Sequence, residues 1–491
     1  MNMIRIEKKA VNTINLFEYS NKEKYSGNAD ELEELLEKIW KRRKETAFTD
    51  TYLPGEDLPD EDRGSGQKFI SFLKHDYIKS KNYVGIISIN GHVINLLPKF
   101  FYDENRTEWN SDEIRAIHAN ILWWLSYCDK FKFPNFKTGI SSLKSGFFEI
   151  IIHAYASYTR NVLNNMLYSA YEEVAEELPF VRGRIDTNKY IKENIAKARW
   201  NKISCVYDSF EFDNQFNRII KFVSRLLTGV THDIETKRLL SEIIFILDEV
   251  SDVRVTYADC EKVKLNLLYQ NLGTVLDYCR LFLSNSSSYT YKDELKVFAF
   301  LLPMEEIFEG FLYGFMDKHL RDAPGVANLE YQKSDLYLAQ LFEDGELVRP
   351  NLFNLKHDIC FDYLDQKIII DAKYKRLDTK SKGSYANEKK YGVSQSDLYQ
   401  SVAYAIRRRC NNLFLVYPNS LAGQRKSEGS DPSVTFRIHD EFSHSDIDVG
   451  IVKIPIIHQS FPSYETGLSL ENNYSQTVAV LKEYLSMSVI N

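Results

Sequence analysis

Apolar and polar positions in the first part of the chain predict a helix followed by a β-hairpin. Residues 28–45, NADELEELLEKIWKRRKE, begin with Asn28 or Asp30 as a suitable helix N-cap. The apolar residues of this segment recur at helical spacing: Leu32, Leu35, Leu36 and Ile39. Residues 83–101, YVGIISINGHVINLLPKFF, contain two β-branched runs around an Asn-Gly pair, a strong signal for a two-residue turn. We therefore expect a mixed N-terminal domain with a β-hairpin over residues 1–115.

The middle of the chain has the periodicity of helices. Residues 145–178, SGFFEIIIHAYASYTRNVLNNMLYSAYEEVAEEL, form one long apolar repeat without proline, and NQFNRIIKFVSRLL and LLSEIIFILDEV continue the pattern. The Ser-rich residues 283–293, LSNSSSYTYKD, interrupt it in the manner of a boundary between domains. A helical middle domain is therefore predicted over residues 116–288.

Helices and strands alternate in the C-terminal part. Residues 303–320, PMEEIFEGFLYGFMDKHL, predict a helix with one apolar face. Strands are predicted around HDICFDYL, KIIIDAKY and NLFLVYP, and the helix SQSDLYQSVAYAIRRR precedes the last of them. This order predicts a C-terminal α/β domain with a central mixed sheet over residues 289–491, within a multidomain α+β protein.

Composition narrows the function classes. The net charge is -7, so the chain lacks an overall basic character, and any surface that binds nucleic acid has to be local. The 6 cysteines include no C-x-x-C pair, which argues against a zinc ribbon or redox motif and favours buried thiols in a reducing compartment. No segment has signal-peptide anatomy or the ~20 apolar residues of a membrane helix, so we expect a cytoplasmic protein.

The strands predicted within residues 355–377, LKHDICFDYLDQKIIIDAKYKRL, carry charges that suggest a site. Side chains alternate between the two faces of a strand, so Asp371 and Lys373 share one face of the second strand. A turn centred on residues 365–366 would place Asp358 on that same face, opposite Lys373. The two aspartates would then be diagonal neighbours with Cα atoms roughly 7–8 Å apart.

Two carboxylates at that spacing suit phosphodiester hydrolysis. They can share one hard divalent cation, Mg²⁺ or Mn²⁺, with oxygens at about 2.0–2.1 Å from Mg²⁺. Such an ion neutralises the phosphate and lowers the pKa of a bound water, while the ammonium of Lys373 would stabilise charge that develops in the transition state. The alternative is a solvated surface hairpin with ordinary charged ends.

The helix that follows the hairpin, and the loop between the hairpin and that helix, add polar groups. Asp397, Gln400, Tyr404 and Arg408 are predicted on one polar face of the helix, with apolar residues covering the other face. Residues 373–390, KYKRLDTKSKGSYANEKK, are locally basic, which fits a surface that follows a phosphate backbone. The candidate DNA contacts are Lys375, Arg376, Lys389, Lys390, Tyr404 and Arg408.

A cluster of histidines and aspartates near the C-terminus lacks the spacing of a metal site. Residues 437–448, RIHDEFSHSDID, fit no standard zinc or calcium pattern. A solvated loop is predicted there.

The C-terminal part contains an ordered set of motifs. Asp358 is followed by Asp371-Ala372-Lys373, an acid and then D-x-K at the next strand end, and the segments IFEGF, LKHDI, IIIDAKYK and SDLYQSVAYA occur in this order. Upstream lie the hairpin at 83–101 and the blocks RGRID and NKISCVYDSFEFDNQFNRIIKF. The C-terminal motifs resemble those of the PD-(D/E)XK nucleases. More specifically, the whole set is similar to the McrC family, the nuclease subunit of McrBC modification-dependent restriction systems, although His357 stands where the family has proline.

The resemblance implies roles for residues of this chain. Asp358 and Asp371 would bind the metal ion, Lys373 would be catalytic, Glu309 would be the acid of the helix, and Gln400 would be a supporting polar residue. The C-terminal domain would be a PD-(D/E)XK nuclease core.

The resemblance also implies a partner. The protein would be a Mg²⁺-dependent endonuclease that cuts double-stranded, methylated DNA in antiviral defence, together with an McrB-like hexameric AAA+ GTPase. Its N-terminal domain would contact and stimulate that partner, which would hydrolyse GTP and recognise 5-methylcytosine. This chain has no G-x-x-x-x-G-K-[ST] motif, so we expect it to bind no nucleotide through a P-loop.

Two other functions remain open from the sequence. One is a non-catalytic adaptor that activates an AAA+ GTPase. The other is a nuclease that acts on RNA or on DNA without sensing methylation. Metal-dependent cleavage separates the first from an enzyme, whereas nothing in the chain decides between the possible nucleic acids.

Overall fold

The computed structural model describes residues 12–47, 67–89, 92–106, 108–128, 147–265, 269–291, 294–377, 391–419, 434–440, 445–457 and 478–483. Within these ranges the chain is a mixed α+β protein, which confirms the predicted class. Two compact units are formed, one by Met1–Phe147 with Ser287–Asn491 and the other by Phe148–Ser286. The division into three domains stays a prediction. No helix among the described residues has the length and apolar character needed to cross a membrane.

The strands, in chain order, are β1 (Asn12–Phe17), β2 (Glu23–Lys24), β3 (Ile70–Leu73), β4 (Tyr77–Ser80), β5 (Tyr83–Ile89), β6 (His92–Leu97), β7 (Ala170–Leu178), β8 (Arg184–Ile185), β9 (Ile203–Glu211), β10 (Ser286–Tyr291), β11 (Glu294–Pro303), β12 (Val326–Glu343), β13 (Glu346–Tyr363), β14 (Gln366–Ala372), β15 (Asn412–Pro418), β16 (Val434–Asp440) and β17 (Ser445–Ile454). The helices are α1 (Ala29–Ala47), α2 (Ser111–Leu125), α3 (Phe147–Asn165), α4 (Thr187–Lys189), α5 (Gln215–Thr228), α6 (Ile234–Ile246), α7 (Tyr257–Glu261), α8 (Gln270–Asn285), α9 (Met304–Leu320) and α10 (Gln395–Arg408).

In the first unit, α1 packs on a five-stranded sheet of order β1-β6-β5-β11-β10. The predicted stripe of Leu32, Leu35, Leu36 and Ile39 is buried against this sheet. Asn28 Oδ1 accepts a hydrogen bond from the amide of Glu31 at 3.2 Å, so Asn28 is the N-cap. The predicted hairpin is also confirmed, because β5 and β6 pair up to Ile89 and His92. The Asn90-Gly91 turn itself lies outside the described residues.

The same unit contains a six-stranded mixed sheet of order β12-β13-β14-β15-β17-β16. The β13–β14 and β16–β17 pairs are antiparallel, whereas β14, β15 and β17 run parallel to one another. Helix α9 precedes this sheet, and its predicted apolar face is buried: Met304, Ile307, Phe308, Phe311, Leu312 and Phe315. Helix α10 connects β14 to β15 in the parallel crossover, as is usual for parallel strands.

Two segments with weak local signals contain strands. The Ser-rich residues 283–293 include β10, which pairs at the edge of the five-stranded sheet, and the two compact units divide within them, between Ser286 and Ser287. The segment predicted as a solvated loop at 437–448 is largely the β16–β17 hairpin, in which His439 pairs with Asp446. The loop prediction was wrong because pairing with a neighbouring strand overrides weak local propensity.

In the second unit, helices α3, α5, α6 and α8 accompany a three-stranded sheet of order β7-β9-β8. The single helical stretch predicted over 145–178 is wrong, because α3 ends at Asn165 and β7 begins at Ala170. Strand β7 pairs with β9 along its whole length, from Ala170 opposite Glu211 to Leu178 opposite Ile203. That partner lies far along the chain, so a local apolar pattern does not reveal it.

Candidate active site

The hairpin of β13 and β14 has a tight turn at Leu364 and Asp365. Both residues have positive φ, 47° and 65°, as in the turns that are preferred in two-residue hairpin loops. The amide of Leu364 donates to the carbonyl of Gly325 at 2.9 Å, which holds this conformation. The predicted turn at 365–366 was therefore wrong by one residue, because the sequence gives no sign that a leucine adopts left-handed backbone there.

The shifted turn changes which charged residues face each other. Ile359 pairs with Ile370, so the next position of the ladder places Asp358 opposite Asp371 instead of Lys373. The amide of Ala372 donates to Asp358 Oδ2 at 2.8 Å, which fixes this carboxyl against the end of β14. The two aspartates are thus closer neighbours than the sequence predicted.

Asp358 and Asp371 form a like-charged pair that is largely shielded from solvent at Asp371. Asp371 is only 3% exposed, whereas Asp358 is partly buried. Burial raises the pKa of Asp358 well above its usual range, and the charges of Asp371 and Glu309 raise it further. Two carboxylates in this position are stable as anions only with a compensating cation.

The donor set of this pair has features that fit a divalent metal ion. Asp371 Oδ2 is buried and lies 2.6 Å from the Lys373 ammonium. Carboxylate oxygens are the ligands that Mg²⁺ prefers, and it usually takes only one or two of them from the protein. Among the described residues, no group of three or more His, Cys, Asp or Glu side chains lies close enough together to hold a metal ion. Asp358 and Asp371 are therefore the residues that could hold such an ion.

Lys373 lies directly beside the two acids. Its Nζ is 2.6 Å from Asp371 Oδ2 and donates to Gln400 Oε1 at 2.9 Å. Burial alone lowers the pKa of Lys373, but Asp371, Asp358 and Asp397 more than offset it, so the pKa lies above its ordinary value. Lys373 is therefore a cation in this site and not a proton acceptor.

Glu309 lies on helix α9, and Gln332 Nε2 donates to Glu309 Oε2 at 3.2 Å. The charge of Glu309 is one of the causes that raise the pKa of Asp358. The contacts of the structure bring together Asp358, Asp371, Lys373 and Gln400.

Helix α10 buries part of its predicted polar face, although Leu398 of the predicted apolar face also packs against the core. Its buried residues are Asp397, Ser401, Tyr404 and Ala405. Ile406, predicted on the apolar face, is 58% exposed. The arrangement is stable because these polar groups have partners, such as the Tyr404 hydroxyl, which donates to the carbonyl of Lys356 at 2.7 Å.

Tyr404 also supports its neighbours. It is 4% exposed, its hydroxyl accepts a hydrogen bond from Gln400 Nε2 at 2.6 Å, and its ring lies 4.2 Å from that of His357. This burial places Tyr404 beneath Gln400 instead of on an open DNA-contacting surface. His357 is fully buried beside it, as expected for a histidine without a ligand role.

The other candidate DNA contacts are mostly engaged within the protein. Lys375 forms an ion pair with Asp397 at 2.9 Å, and Arg408 is paired with Asp335. Arg376 donates to the carbonyl of Lys99. Lys389 and Lys390 lie outside the described residues. DNA contact by these residues stays a prediction.

One set of residues near Lys373 was missed by sequence reasoning. The hydroxyl of Tyr374 donates to Glu18 Oε2 at 2.7 Å, and the ammonium of Lys99 donates to the carbonyl of Tyr374 at 2.8 Å. Glu18 is fully buried, and burial raises its pKa to about 7, against the opposing charge of Lys99. The feature that marks this set is a buried glutamate next to a tyrosine. The sequence does not reveal it, because Glu18 and Tyr374 come together only in the folded chain.

Glu18 predicts a measurable dependence of stability on pH. Its folded-state pKa of about 7 exceeds the ordinary 4.5, so the folded protein binds this proton more tightly than the unfolded chain. Stability from this group is therefore complete below pH 4.5 and is lost as the pH rises to about 7, a change of roughly 3 kcal/mol. The variant Glu18→Gln keeps the acceptor oxygen and removes this slope in urea unfolding between those pH values. The exposed Glu23→Gln should leave the slope as in the wild type, and an unchanged slope in Glu18→Gln would contradict the assignment.

Comparisons with known proteins give a family and a fold. A family model described as "McrBC 5-methylcytosine restriction system component" matches residues 78–418. A solved half-complex from a tetradecameric assembly of Thermococcus gammatolerans McrB AAA+ hexamers with bound McrC contains a similar chain. The likeness has 17% identity and a TM-score of 0.58, over 95% of this chain and 99% of the other. A second structure, the Thermococcus gammatolerans McrBC complex, matches 63% of this chain and 88% of its own at 19% identity and a TM-score of 0.41. No curated protein matches.

These findings correct the resemblance to the McrC family in particular. The family model describes a component of the McrBC system without distinguishing its subunits. The solved assembly contains McrB as well as McrC chains, and at 17% identity the likeness shows a shared fold alone. The comparisons therefore support a component of the McrBC system, and they do not support the narrower prediction of the McrC family.

Proposed function

The chain belongs to the family of McrBC 5-methylcytosine restriction system components, matched over residues 78–418, and we propose that it is the DNA-cutting subunit of such a system. In this proposal it is a metal-dependent endonuclease whose C-terminal domain has a core of the PD-(D/E)XK type. The observation that carries the proposal is the grouping of Asp358, Asp371 and Lys373 at the end of β14.

Like charges make that grouping difficult to explain as a structural feature. A buried pair of carboxylates is costly unless a cation or a proton neutralises it. Lys373 supplies one positive charge at 2.6 Å from Asp371, while Asp358 and Glu309 add further negative charge nearby. An excess of acid in a partly enclosed site is typical of a place for a divalent cation and an anionic phosphate.

Each residue has a role in phosphodiester hydrolysis. A bound Mg²⁺ or Mn²⁺ would supply charge neutralisation and a water of lowered pKa. Asp358 and Asp371 would provide the oxygens that hold it, and Glu309 would add negative charge to the site. The ammonium of Lys373 stabilises negative charge on the phosphate as the bond breaks. Gln400 orients Lys373 through the hydrogen bond between Oε1 and Nζ, at 2.9 Å.

An AAA+ GTPase is the proposed partner. The similar chain from Thermococcus gammatolerans was solved in an assembly of AAA+ hexamers, which supports the same kind of partner for this chain. The family description names 5-methylcytosine, which favours methylated double-stranded DNA as the substrate. GTP hydrolysis and the sensing of methylation would then belong to the partner.

The test is cleavage of a methylated plasmid by the full chain with its co-purified AAA+ partner, GTP and Mg²⁺. The proposal predicts double-strand cuts that require the metal ion and disappear with EDTA. Stimulation of GTP hydrolysis without any metal-dependent cutting would instead identify a non-catalytic adaptor. Equal cutting of unmethylated DNA or of RNA would contradict the proposed substrate.

A further inference from the structure

Beyond Ala372, the chain that carries Lys373 leaves β14, so its position depends on contacts outside that strand. The amide of Lys373 donates to the carbonyl of Val416 at 2.8 Å, and the next residue, Tyr374, turns into the protein interior. The Tyr374 ring lies 5.0 Å from that of Phe100 and 6.0 Å from that of Phe308. Tyr374 is therefore an anchor directly after Lys373.

Polar contacts fix this anchor at two atoms. The side-chain hydroxyl donates to Glu18 Oε2 at 2.7 Å. The main-chain carbonyl accepts from Lys99 Nζ at 2.8 Å, and the same ammonium lies 4.3 Å from the centre of the Tyr374 ring. The residue is thus held through its backbone as well as through its side chain.

The two residues that hold Tyr374 come from neighbouring strands of the five-stranded sheet. Glu18 follows β1 and Lys99 lies just after β6, and these strands pair in parallel. The amide of Glu18 donates to the carbonyl of Leu97 at 2.9 Å, and the amide of Lys99 donates to Glu18 Oε2 at 3.2 Å. The clamp formed by Glu18, Lys99 and Tyr374 therefore has a rigid base.

The polar contacts of the clamp carry a large desolvation cost. Glu18 is fully buried, and its Oε1 has no hydrogen-bond partner among the described residues. Apolar side chains of similar volume would connect these segments with a smaller desolvation cost. Hydrogen bonds depend on direction, so they fix the relative position of the groups that they join more closely than apolar contacts do.

We propose that Tyr374 is a positioning residue, and that the clamp of Glu18, Lys99 and Tyr374 sets the place of the Lys373 ammonium for DNA cleavage. This inference rests on the proposed nuclease function. It adds that the five-stranded sheet, and not only the sheet that bears Asp358 and Asp371, determines the geometry of the reaction. A displacement of about 1 Å at a reacting group lowers rates by roughly 100-fold, so the clamp has a direct kinetic consequence.

The first test needs no activity. Hydrogen–deuterium exchange of the full chain is measured over residues 371–377 for the wild type, Tyr374→Phe and Lys99→Met. Loss of either contact should speed exchange in this segment by about tenfold, because local opening becomes easier. The matched control is Tyr417→Phe, since Tyr417 is a buried tyrosine on the adjacent β15 whose hydroxyl has no partner among the described residues. Equal exchange in Tyr374→Phe and the wild type would overturn the inference.

The second test uses the complex with the AAA+ partner. Tyr374→Phe should lower kcat roughly 10- to 100-fold while KM for DNA stays unchanged, because the hydroxyl contacts no substrate. The double variant Tyr374→Phe with Lys99→Met should lose less than the product of the single losses, since both act on one residue. Wild-type kcat in Tyr374→Phe would overturn the positioning role of Tyr374 and leave the proposed nuclease site unaffected. Cutting that survives in Asp371→Asn would instead overturn the nuclease site itself.

Discussion

Replacement of Asp371 by Asn is expected to lower the rate of DNA cleavage by roughly 1,000-fold or more. The amide keeps the size of the side chain but removes the negative charge from a site that is 3% exposed. A divalent cation at the proposed site would then lose one of its two carboxylates, and the Lys373 ammonium would lose its ion pair at 2.6 Å. The measurement is single-turnover cleavage of a methylated plasmid by the full chain with its AAA+ partner.

The matched control for this variant is Asp362→Asn. Asp362 lies on the same hairpin, near the turn, where its carboxylate accepts a hydrogen bond from Asn328 at 2.6 Å. Cleavage by this control should stay within about twofold of the wild type, since surface substitutions change stability little. Stimulation of the partner's GTPase should survive in both variants. Comparable cleavage by Asp371→Asn and Asp362→Asn would contradict the site.

Replacement of Lys373 by Met is expected to lower kcat by roughly 100- to 1,000-fold, the usual loss when one group that stabilises transition-state charge is removed. Methionine has a similar length and no charge, so Gln400 loses the ammonium that it binds at 2.9 Å. Asp358 and Asp371 remain, so binding of a divalent cation should persist. This separation distinguishes Lys373 from a metal ligand.

The control for Lys373→Met is Lys367→Met. Lys367 lies near the beginning of β14, where its side chain is 41% exposed and 4.0 Å from Asp362. Lys367 lies within β14 and Lys373 directly follows that strand, but only Lys373 forms an ion pair with Asp371. Metal-dependent thermal stabilisation should be retained by both variants, and cleavage should be lost only by Lys373→Met. Normal kcat in Lys373→Met would exclude a catalytic role for this residue.

The sequence predicted those elements whose pattern is local and strong. The stripe and N-cap of α1, the β5–β6 hairpin and the apolar face of α9 are all present. Each combines clear periodicity with a chemically specific start or turn, so local preference and tertiary packing agree. The sequence also predicted Asp371 near the end of a strand, where β14 has it, whereas the catalytic role of Asp371 and Lys373 stays a prediction.

Features that depend on distant partners could not be predicted. The helix-to-strand change between Asn165 and Ala170 follows from pairing with β9, and the turn at Leu364 follows from a contact with Gly325. The hydrogen bond between Glu18 and Tyr374 joins residues 356 positions apart, and no local pattern encodes that distance. The polar packed face of α10 likewise depends on acceptors supplied by other elements.

The proposed nuclease function requires Asp358 and Asp371 to bind a single divalent cation, and titration with Mn²⁺ measures this directly. Electron paramagnetic resonance of the full chain counts bound Mn²⁺ without any need for DNA, GTP or the partner. One ion per wild-type chain is expected, with binding lost in Asp358→Asn and in Asp371→Asn but retained in Asp362→Asn. Equal Mn²⁺ binding by the wild type and the first two variants, or no binding by the wild type, would contradict this metal site.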